Sequence, residues 1–294
     1  MRIFLTGATG FIGSKLIPEL INAGHQVLGL TRSQEGERAL QARGAQAHRG
    51  DIEDLQSLRD GAAQCEGVIH TAFDHDFTHF VANCEKDRRA ILALGDALQG
   101  SEAPLLITSG TGMGQPAPGQ LATEDHFDPA HRHPRIASEL AGQALLQRGL
   151  NVSVMRLSQI HDATRQGLVT YLIALAREKG VSAYVGQGQN RWCAAHVSDA
   201  ARLYRLALER RQRGARYHAV AEQGITLQSI AEIIGERLGV PVLGVPEQDA
   251  AAHFGWLAGF AASDMPAGSA WTQEQLQWHP AGPGLLTSLA QIAP

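Results

Sequence analysis

Residues 2–13 read RIFLTGATGFIG, an apolar run followed at once by three glycines spaced three residues apart. The run Ile3-Phe4-Leu5 suits a short buried strand, and the residues from Phe11 onward carry a helical pattern. Glycines between a strand and a helix permit a tight turn and a close backbone approach that side chains would block. The segment therefore predicts a strand, a turn and a helix as the first unit of an α/β fold.

Short apolar runs alternate with helical patterns through the first half of the chain. Further strands are predicted at residues 26–31, 45–49, 67–71, 104–109 and 151–156, and helices begin near residues 34, 53, 85 and 134. Strands joined by helical crossovers form a parallel sheet. The sequence thus predicts an α/β fold with a doubly wound parallel sheet of the Rossmann type, which binds ligands at the carboxyl ends of its strands.

The spacing of these patterns changes after about residue 158. Helices are predicted near residues 168–179, 199–210 and 227–238, and short strands at 182–185 and 215–219. We expect residues 1–157 to form a nucleotide-binding domain, to which later segments can return, and residues 158–294 to form mainly a smaller C-terminal α/β substrate lobe. Residues 246–266 should pack as helix, because their aromatic side chains are unusual in flexible linkers.

The composition argues against several classes of protein. The 294 residues are 44% hydrophobic, and 25 basic against 29 acidic side chains give a formal charge of −4, which disfavours nucleic acid or an acidic membrane as a partner. No apolar run approaches the roughly 20 residues that span a bilayer. Three cysteines without a Cys-x-x-Cys pair argue against disulfides and structural zinc, so a cytoplasmic location is expected.

The glycine turn predicts a phosphate site. Gly7 permits the turn, Gly10 lets backbone amides approach a pyrophosphate, and Gly13 lets the helix pack closely on the strand. The positive end of the helix dipole then faces the anion. The predicted cofactor contacts in this turn are Gly7, Thr9, Gly10, Phe11, Ile12 and Gly13.

The end of the second predicted strand favours one dinucleotide over another. An acidic residue there would accept a hydrogen bond from the ribose 2′-hydroxyl of NAD, but this chain has Thr31-Arg32-Ser33. The Arg32 guanidinium and the Ser33 hydroxyl suit a 2′-phosphate instead. The sequence therefore predicts NADP(H) as cofactor, with weak selectivity if Arg32 is only a solvated surface residue.

Further short motifs follow the third, fourth and fifth predicted strands: Gly50-Asp51-Ile52, His70-Thr71-Ala72 and Ser109. Together with the glycine turn they resemble the extended short-chain dehydrogenase/reductases of the epimerase/dehydratase branch. Residues 191–199 are similar to that family's Arg…His-Val-x-Asp segment, and residues 276–280 to its Gly-Trp-x-Pro, with Gln277 in place of glycine. The resemblance covers nearly the whole chain.

The resemblance implies additional cofactor contacts. Asp51 and Ile52 would flank the adenine, and Thr71, Ala72 and Phe73 would line the path to the nicotinamide ribose.

The sequence departs from this family where the family carries Tyr-x-x-x-Lys, because residues 135–139 read RIASE. Ser109 precedes Arg135 by 26 residues, which matches the family's spacing of Ser or Thr to Tyr. Arg135 cannot donate a proton, since guanidinium stays protonated in proteins. We expect Arg135 either to bind an anionic or carbonyl group of the substrate or to form an i,i+4 salt bridge with Glu139. His131, His133 and His196 are candidate proton donors.

Other polar and aromatic residues carry weaker signals. Asp74, His75, Asp76 and His79 could ligate a metal, but polar residues are ordinary in such a loop, and no metal site is predicted. His196 is expected to hold the junction between the lobes, and Asp199 to cap the following helix. The aromatic residues that could shape a pocket or pack in a core are Trp192, Tyr171 and Trp256.

The predicted function is that of an NADP(H)-dependent oxidoreductase with an atypical active site. The candidate catalytic residues are Ser109, Arg135 and His133. Hydride would pass to a small carbonyl, enone, quinone or imine-like acceptor that needs little protonation. The alternatives are a non-catalytic NADP(H)-binding sensor or regulatory protein and a sugar-nucleotide epimerase or dehydratase. The expected partner is a small-molecule substrate, and a homodimer is left open.

Overall fold

Strands and helices alternate along the chain, whose computed structural model describes residues 1–293. The first half contains β1 (Arg2–Thr6), α1 (Phe11–Asn22), β2 (Gln26–Thr31), α2 (Gln34–Gln41), β3 (Gln46–Arg49), α3 (Leu55–Ala63), β4 (Gly67–His70), α4 (Phe80–Ala97), β5 (Leu105–Gly110), α5 (Ile136–Gln147) and β6 (Val152–Leu157). The second half contains β7 (Gln159–His161), α6 (Val169–Lys179), β8 (Ser182–Val185), β9 (Arg191–His196), α7 (Val197–Arg210), β10 (Arg216–Ala219), β11 (Glu222–Thr226), α8 (Leu227–Leu238), β12 (Val242–Val245), α9 (Ala250–Phe254), α10 (Ala258–Ala261), α11 (Ala270–Leu276) and α12 (Leu285–Leu289).

Seven parallel strands form the main sheet in the order β10-β6-β5-β4-β1-β2-β3. Ile3, Phe4 and Leu5 of the central strand β1 are all fully buried, because helices cover both faces of the sheet. The chain leaves β1 in one direction and returns at β4 on its other side, which opens a crevice at the carboxyl ends of these two strands. The predicted Rossmann-type fold is confirmed.

The main sheet takes its seventh strand from the second half of the chain. The sequence leaves open which later segments return to the first domain. The helix at 199–210 and the strand at 215–219 do so, since α7 packs on α1 and β10 pairs with β6. The apolar face of α7, which includes Leu203 and Tyr204, is fully buried in the core beneath the sheet. The periodicity of α7 identifies this face but not the element that covers it.

The remaining second-half elements form the smaller lobe. It contains a three-stranded sheet of β11, β9 and β7 and a parallel pair of β12 and β8. Its core includes Val169, Trp192 and Ile230 with residues of the C-terminal helices, so Trp192 is a core residue. Residues 246–266 contain α9 and α10, as predicted.

The C-terminal segment returns to the main core. Trp278 is fully buried and its indole Nε1 donates to the Asp199 carbonyl oxygen at 3.0 Å. The Asp199 carboxylate accepts from the amides of Ala281 and Gly282, whereas the ring of His196 caps α7. The expectation that Asp199 caps this helix was wrong, because its side chain ties down the C-terminal segment. Across residues 1–293, the helices lack the combination of length and apolar content needed to cross a bilayer.

Candidate active site

A cavity of about 950 Å³ lies at the carboxyl ends of the parallel strands. Its lining runs from the glycine turn after β1 and the end of β2, past the ends of β4, β5 and β6, to α6 and α10. Among the predicted site residues, the cavity is lined by Gly7, Thr9, Gly10, Phe11, Ile12, Gly13, Thr31, Arg32, Asp51, Ile52, Thr71, Ala72, Phe73, Ser109 and Arg135. Ser33 and His133 are not part of this lining.

The glycine turn forms a cradle that side chains would fill. Gly7 has φ +66°, and a Cβ there would lie 2.6 Å from Thr71 Oγ1. A Cβ on Gly13 would collide with the Gly7 carbonyl oxygen. A Cβ on Gly10 would meet only the Gly7 carbonyl oxygen at 3.0 Å, and its remaining surroundings open into the cavity.

The first turn of α1 faces this cradle without a competing side chain. Its N-cap residue is Gly10, which offers no side-chain cap, and the turn has no acidic residue. The amides and the helix dipole are therefore free to meet an anion. The turn fits the pyrophosphate of a dinucleotide.

Arg32 and Asp51 lie together at the outer end of the cavity. Arg32 Nε is 3.7 Å from Asp51 Oδ2, and the arginine side chain is 82% exposed. The end of β2 alone predicts no carboxylate at this position. Because β2 and β3 are paired, Asp51, which follows β3, lies close to Arg32, which follows β2. An exposed pair of this kind contributes about 0–1 kcal/mol, so Arg32 can turn toward another anion. Ser33 instead caps α2, because its hydroxyl accepts from the Gly36 amide.

Ser109 presents a hydroxyl at the inner end of the cavity. The residue is 4% exposed, and its Oγ has no hydrogen-bond partner among residues 1–293. A buried hydroxyl without a partner is costly and is typical of a group that a ligand satisfies. Ser109 is thus placed to hydrogen-bond a bound molecule.

Arg135 lies beside Ser109 and is held from several sides. Its guanidinium donates to Asp87 Oδ2 and to the Thr108 carbonyl oxygen, each at 2.8 Å. The guanidinium carbon also lies 4.1 Å from the centre of the Phe73 ring, within range of a cation–π contact. The side chain is 11% exposed, and the cavity is its open side. Arg135 therefore offers a fixed positive charge to the cavity.

Asp87, which no sequence motif identified, anchors this arginine. The carboxylate is buried in α4, and it also contacts His70 Nε2 at 3.0 Å and accepts from Ser138 Oγ. His70 in turn contacts Thr6 through Nδ1. Burial opposes ionisation of Asp87, but the Arg135 charge and these hydrogen bonds outweigh it and hold its pKa below the usual range. The network keeps Asp87 ionised behind Arg135.

Glu139 does not pair with Arg135. The Glu139 carboxylate is buried and accepts two hydrogen bonds from Arg156, at 2.8 and 2.9 Å, and one from Arg216 at 3.0 Å. The expected i,i+4 salt bridge was wrong, because Arg135 precedes the first turn of α5 and turns toward α4. Glu139 is part of a buried ion cluster outside the cavity lining.

His131 and His133 make structural contacts beside the site. His133 Nδ1 accepts from the Arg135 amide, and its ring packs edge-on against Phe80. Burial lowers the pKa of His133 to about 4, which leaves the ring neutral near pH 7. His131 Nδ1 accepts from the His133 amide. Neither ring is part of the cavity lining.

The acidic residues after β4 are engaged in local contacts. Asp74 accepts from Lys86 Nζ at 2.7 Å, and Asp76 caps the short helical turn at Phe77–His79. Within residues 1–293, no group of three or more histidine, cysteine or acidic side chains could hold a metal ion.

Several aromatic cavity residues were also missed. Phe77 and Phe80 follow β4, and Phe260 belongs to α10, where they line the cavity with Tyr171. Their positions in separate segments leave no local pattern, and only the sparsity of aromatic residues, 5% of the chain, could have indicated a shared role.

Comparisons with known proteins agree with this architecture. A family model described as the NAD dependent epimerase/dehydratase family matches residues 3–221. An uncharacterized protein of Schizosaccharomyces pombe is 45% identical over 294 residues, which covers 100% of this chain and 99% of that protein. The 4-hydroxy-2-methyl-3-oxo-4-farnesyl-3,4-dihydroquinoline-1-oxide ketoreductase of Stigmatella aurantiaca is 28% identical, over 87% of this chain and 80% of that enzyme.

Solved structures share the fold. The dTDP-glucose 4,6-dehydratase DesIV of Streptomyces venezuelae, solved with NAD and TYD bound, has a TM-score of 0.78 at 19% identity, over 99% of this chain and 95% of that chain. The sheet order, the glycine cradle and the family match lead to one conclusion. The chain belongs to the NAD dependent epimerase/dehydratase family, within the extended short-chain dehydrogenase/reductases.

Proposed function

We propose that this protein is an NADP(H)-dependent oxidoreductase that reduces a conjugated carbonyl or quinone acceptor without a protein proton donor. The observation that carries the proposal is the pairing of the partnerless Ser109 hydroxyl with the fixed Arg135 guanidinium in one cavity with the glycine cradle. The ketoreductase relative supports carbonyl reduction as the type of chemistry.

The cofactor residues follow from the cavity. The amides at the start of α1 would hold the pyrophosphate, and Arg32 would pair with a 2′-phosphate at the outer end. A reduced nicotinamide supplies a hydride to the acceptor, and solvent supplies the proton that completes the two-electron reduction.

Arg135 would stabilise negative charge that develops on the acceptor oxygen. It occupies the position that the spacing from Ser109 assigns to the family's tyrosine, but it cannot give up a proton. A prealigned cation in a partly desolvated cavity stabilises charge without reorganising, and losing one such donor typically costs about 10²–10³ in kcat. Ser109 would donate a second hydrogen bond to the same oxygen. Acceptors whose reduced form is a stable anion are therefore favoured over simple ketones.

The experiment is stopped-flow oxidation of protein-bound NADPH with a panel of quinones, enones, imines and simple ketones. We expect oxidation by the quinones and enones and little by imines or simple ketones. Tight NADPH binding without oxidation by any acceptor would contradict the proposal and favour a sensor. Conversion of a UDP-sugar or a dTDP-sugar by the same protein would contradict it in favour of a sugar-nucleotide enzyme.

A further inference from the structure

An aromatic wall, formed by Phe73, Phe77, Phe80, Tyr171 and Phe260, lines part of the cavity. The first three residues follow β4, whereas Tyr171 lies on α6 and Phe260 on α10. Two lobes therefore contribute rings to one surface.

The rings of the wall are in mutual contact. Phe77 packs on Phe80 with ring centres 5.6 Å apart, and edge-on against Tyr171 at 5.8 Å and Phe260 at 6.2 Å. Trp256 lies behind the wall, stacked on Phe77 at 4.6 Å with the planes 5° apart. This places an indole one ring away from the cavity.

The wall is continuous with the charged group of the site. Phe73 contacts Phe80 at 6.1 Å and His75 at 5.4 Å, and its ring also lies against the Arg135 guanidinium. A ligand that lies on the rings therefore reaches the cation and the Ser109 hydroxyl at its edge.

Core packing alone does not account for this surface. Trp192 and Trp278, which do pack in the cores, are fully buried, whereas Tyr171, which lines the cavity, is 37% exposed. Tyr171 thus keeps apolar ring surface available at the cavity. Flat aromatic faces favour offset stacking with another conjugated ring system.

We propose that the wall binds a planar aromatic acceptor, such as a fused-ring quinone or aryl enone, by ring stacking, with a carbonyl oxygen directed to Arg135 and Ser109. This assignment of a substrate class rests on the proposed function. An aliphatic acceptor of similar size has no ring to stack, and the hydroxyl groups of a sugar would meet mostly carbon on this surface.

Binding can be tested without turnover by titrating the protein with menadione in the absence of any reduced cofactor, followed by tryptophan fluorescence. We expect saturable quenching in the wild type that is lost in Trp256→Phe, because Trp256 is stacked on the wall. Tyr171→Leu, which keeps an apolar side chain, should raise the menadione Kd by about 3- to 10-fold. The matched control is Tyr184→Leu, the same change at a half-buried tyrosine that lies outside the cavity lining.

A second measurement separates this inference from the proposed function. We compare kcat/KM of NADPH oxidation for menadione and for 2-cyclohexenone in the wild type and in Tyr171→Leu. A larger loss for menadione supports the stacking surface. Equal losses, or equal menadione affinity in Tyr171→Leu and wild type, would overturn it even if NADPH is oxidised. Saturable quenching without any NADPH oxidation would instead support the aromatic site and contradict the proposed function.

Discussion

Under the proposed function, Arg135 donates hydrogen bonds to the acceptor but no proton. Its charge is fixed by Asp87, whose carboxylate is 2% exposed and which contacts His70 and Ser138 as well. Breaking a buried pair by removing one partner typically costs about 3–5 kcal/mol. The arginine is therefore held rigidly, which suits a group that stabilises charge through position.

Arg32 is expected to determine the choice of dinucleotide. Arg32→Ala should weaken NADPH binding by about 1.5–3 kcal/mol, the range for a hydrogen bond to a charged group, and leave NADH almost unchanged. Asp51→Asn is the matched variant: it removes the carboxylate 3.7 Å from Arg32 and should leave NADPH binding unchanged or tighter. Titration calorimetry gives both affinities, and equal losses for the two cofactors in Arg32→Ala would refute the assignment.

Gly10 is expected to be essential for cofactor binding but not for folding. Gly10→Val places a branched side chain on the open side of the cradle, where the pyrophosphate must approach the backbone. Binding of NADPH should be abolished, whereas circular dichroism should show a native spectrum, since Gly10 has ordinary backbone angles of φ −76° and ψ −179°. Retained binding would mean that the phosphates lie elsewhere.

At the scale of elements, helix α5 shows why spacing alone misassigns partners. Arg135 and Glu139 are four residues apart, yet Arg135 pairs with α4 and Glu139 with residues of β6 and β10. Burial opposes ionisation of Glu139, but the charges and hydrogen bonds of Arg156 and Arg216 hold its pKa below the usual range. Glu139 therefore stabilises the attachment of α5 to the sheet rather than the chemistry.

Introducing a lysine at position 139 should destabilise the protein severely. Glu139→Lys would bury a third cation beside Arg156 and Arg216, and the free energy of unfolding should fall by about 3–5 kcal/mol or more. Glu85→Lys makes the same charge change on an exposed face of α4 and should stay within about 0.5 kcal/mol of the wild type. Urea unfolding measures the free energy of unfolding of both variants. Equal values for Glu139→Lys and Glu85→Lys would show that the buried ion cluster does not contribute to stability.

The element boundaries were largely predictable, because buried strands and amphipathic helices leave clear periodicities. β1, β2 and the start of α1 lie where the sequence placed them, and the glycine turn predicted the cradle between them. The partners of residues distant in sequence were not predictable. Asp87 lies in the middle of α4 without a local motif, and Asp51 approaches Arg32 only because β2 and β3 are adjacent in the sheet.

At the scale of the whole molecule, buried histidines make stability depend on pH. Burial lowers the pKa of His133 and of His161 to about 4, and burial with the Arg156 charge also lowers that of His218. An unfolded histidine takes up a proton near pH 6.5, whereas these folded rings remain neutral until about pH 4. Their contribution to stability is thus present above pH 6.5 and is lost as the pH falls toward 4.

We expect the free energy of unfolding to decrease between pH 6.5 and pH 4.5 by up to about 1.4 kcal/mol per pH unit for each such histidine. Urea titrations at pH 7.5, 6 and 5 measure the slope. A free energy of unfolding that stays constant or rises over this range would show that these rings are charged in the folded protein.

The assignment of segments to the two lobes was harder to predict than the individual helices and strands. The chain returns to the main sheet through α7 and β10 after entering the smaller lobe, so the cavity is lined by residues from both halves of the sequence. The periodicities of the individual helices and strands do not indicate which later segments return to the main sheet. The aromatic wall has the same origin, since its rings come from segments that are adjacent only in the folded molecule.

In the proposed function, Arg135 promotes hydride transfer by stabilising charge and donates no proton. The most direct test is single-turnover oxidation of bound NADPH by menadione, followed at 340 nm from pH 5 to 9 in the wild type and in Arg135→Met. We expect a wild-type rate constant that shows no histidine or tyrosine titration, and a loss of about 10²–10³ in Arg135→Met with NADPH affinity retained. An equal rate in Arg135→Met, or a wild-type rate that depends on a group lost in His133→Gln, would contradict it.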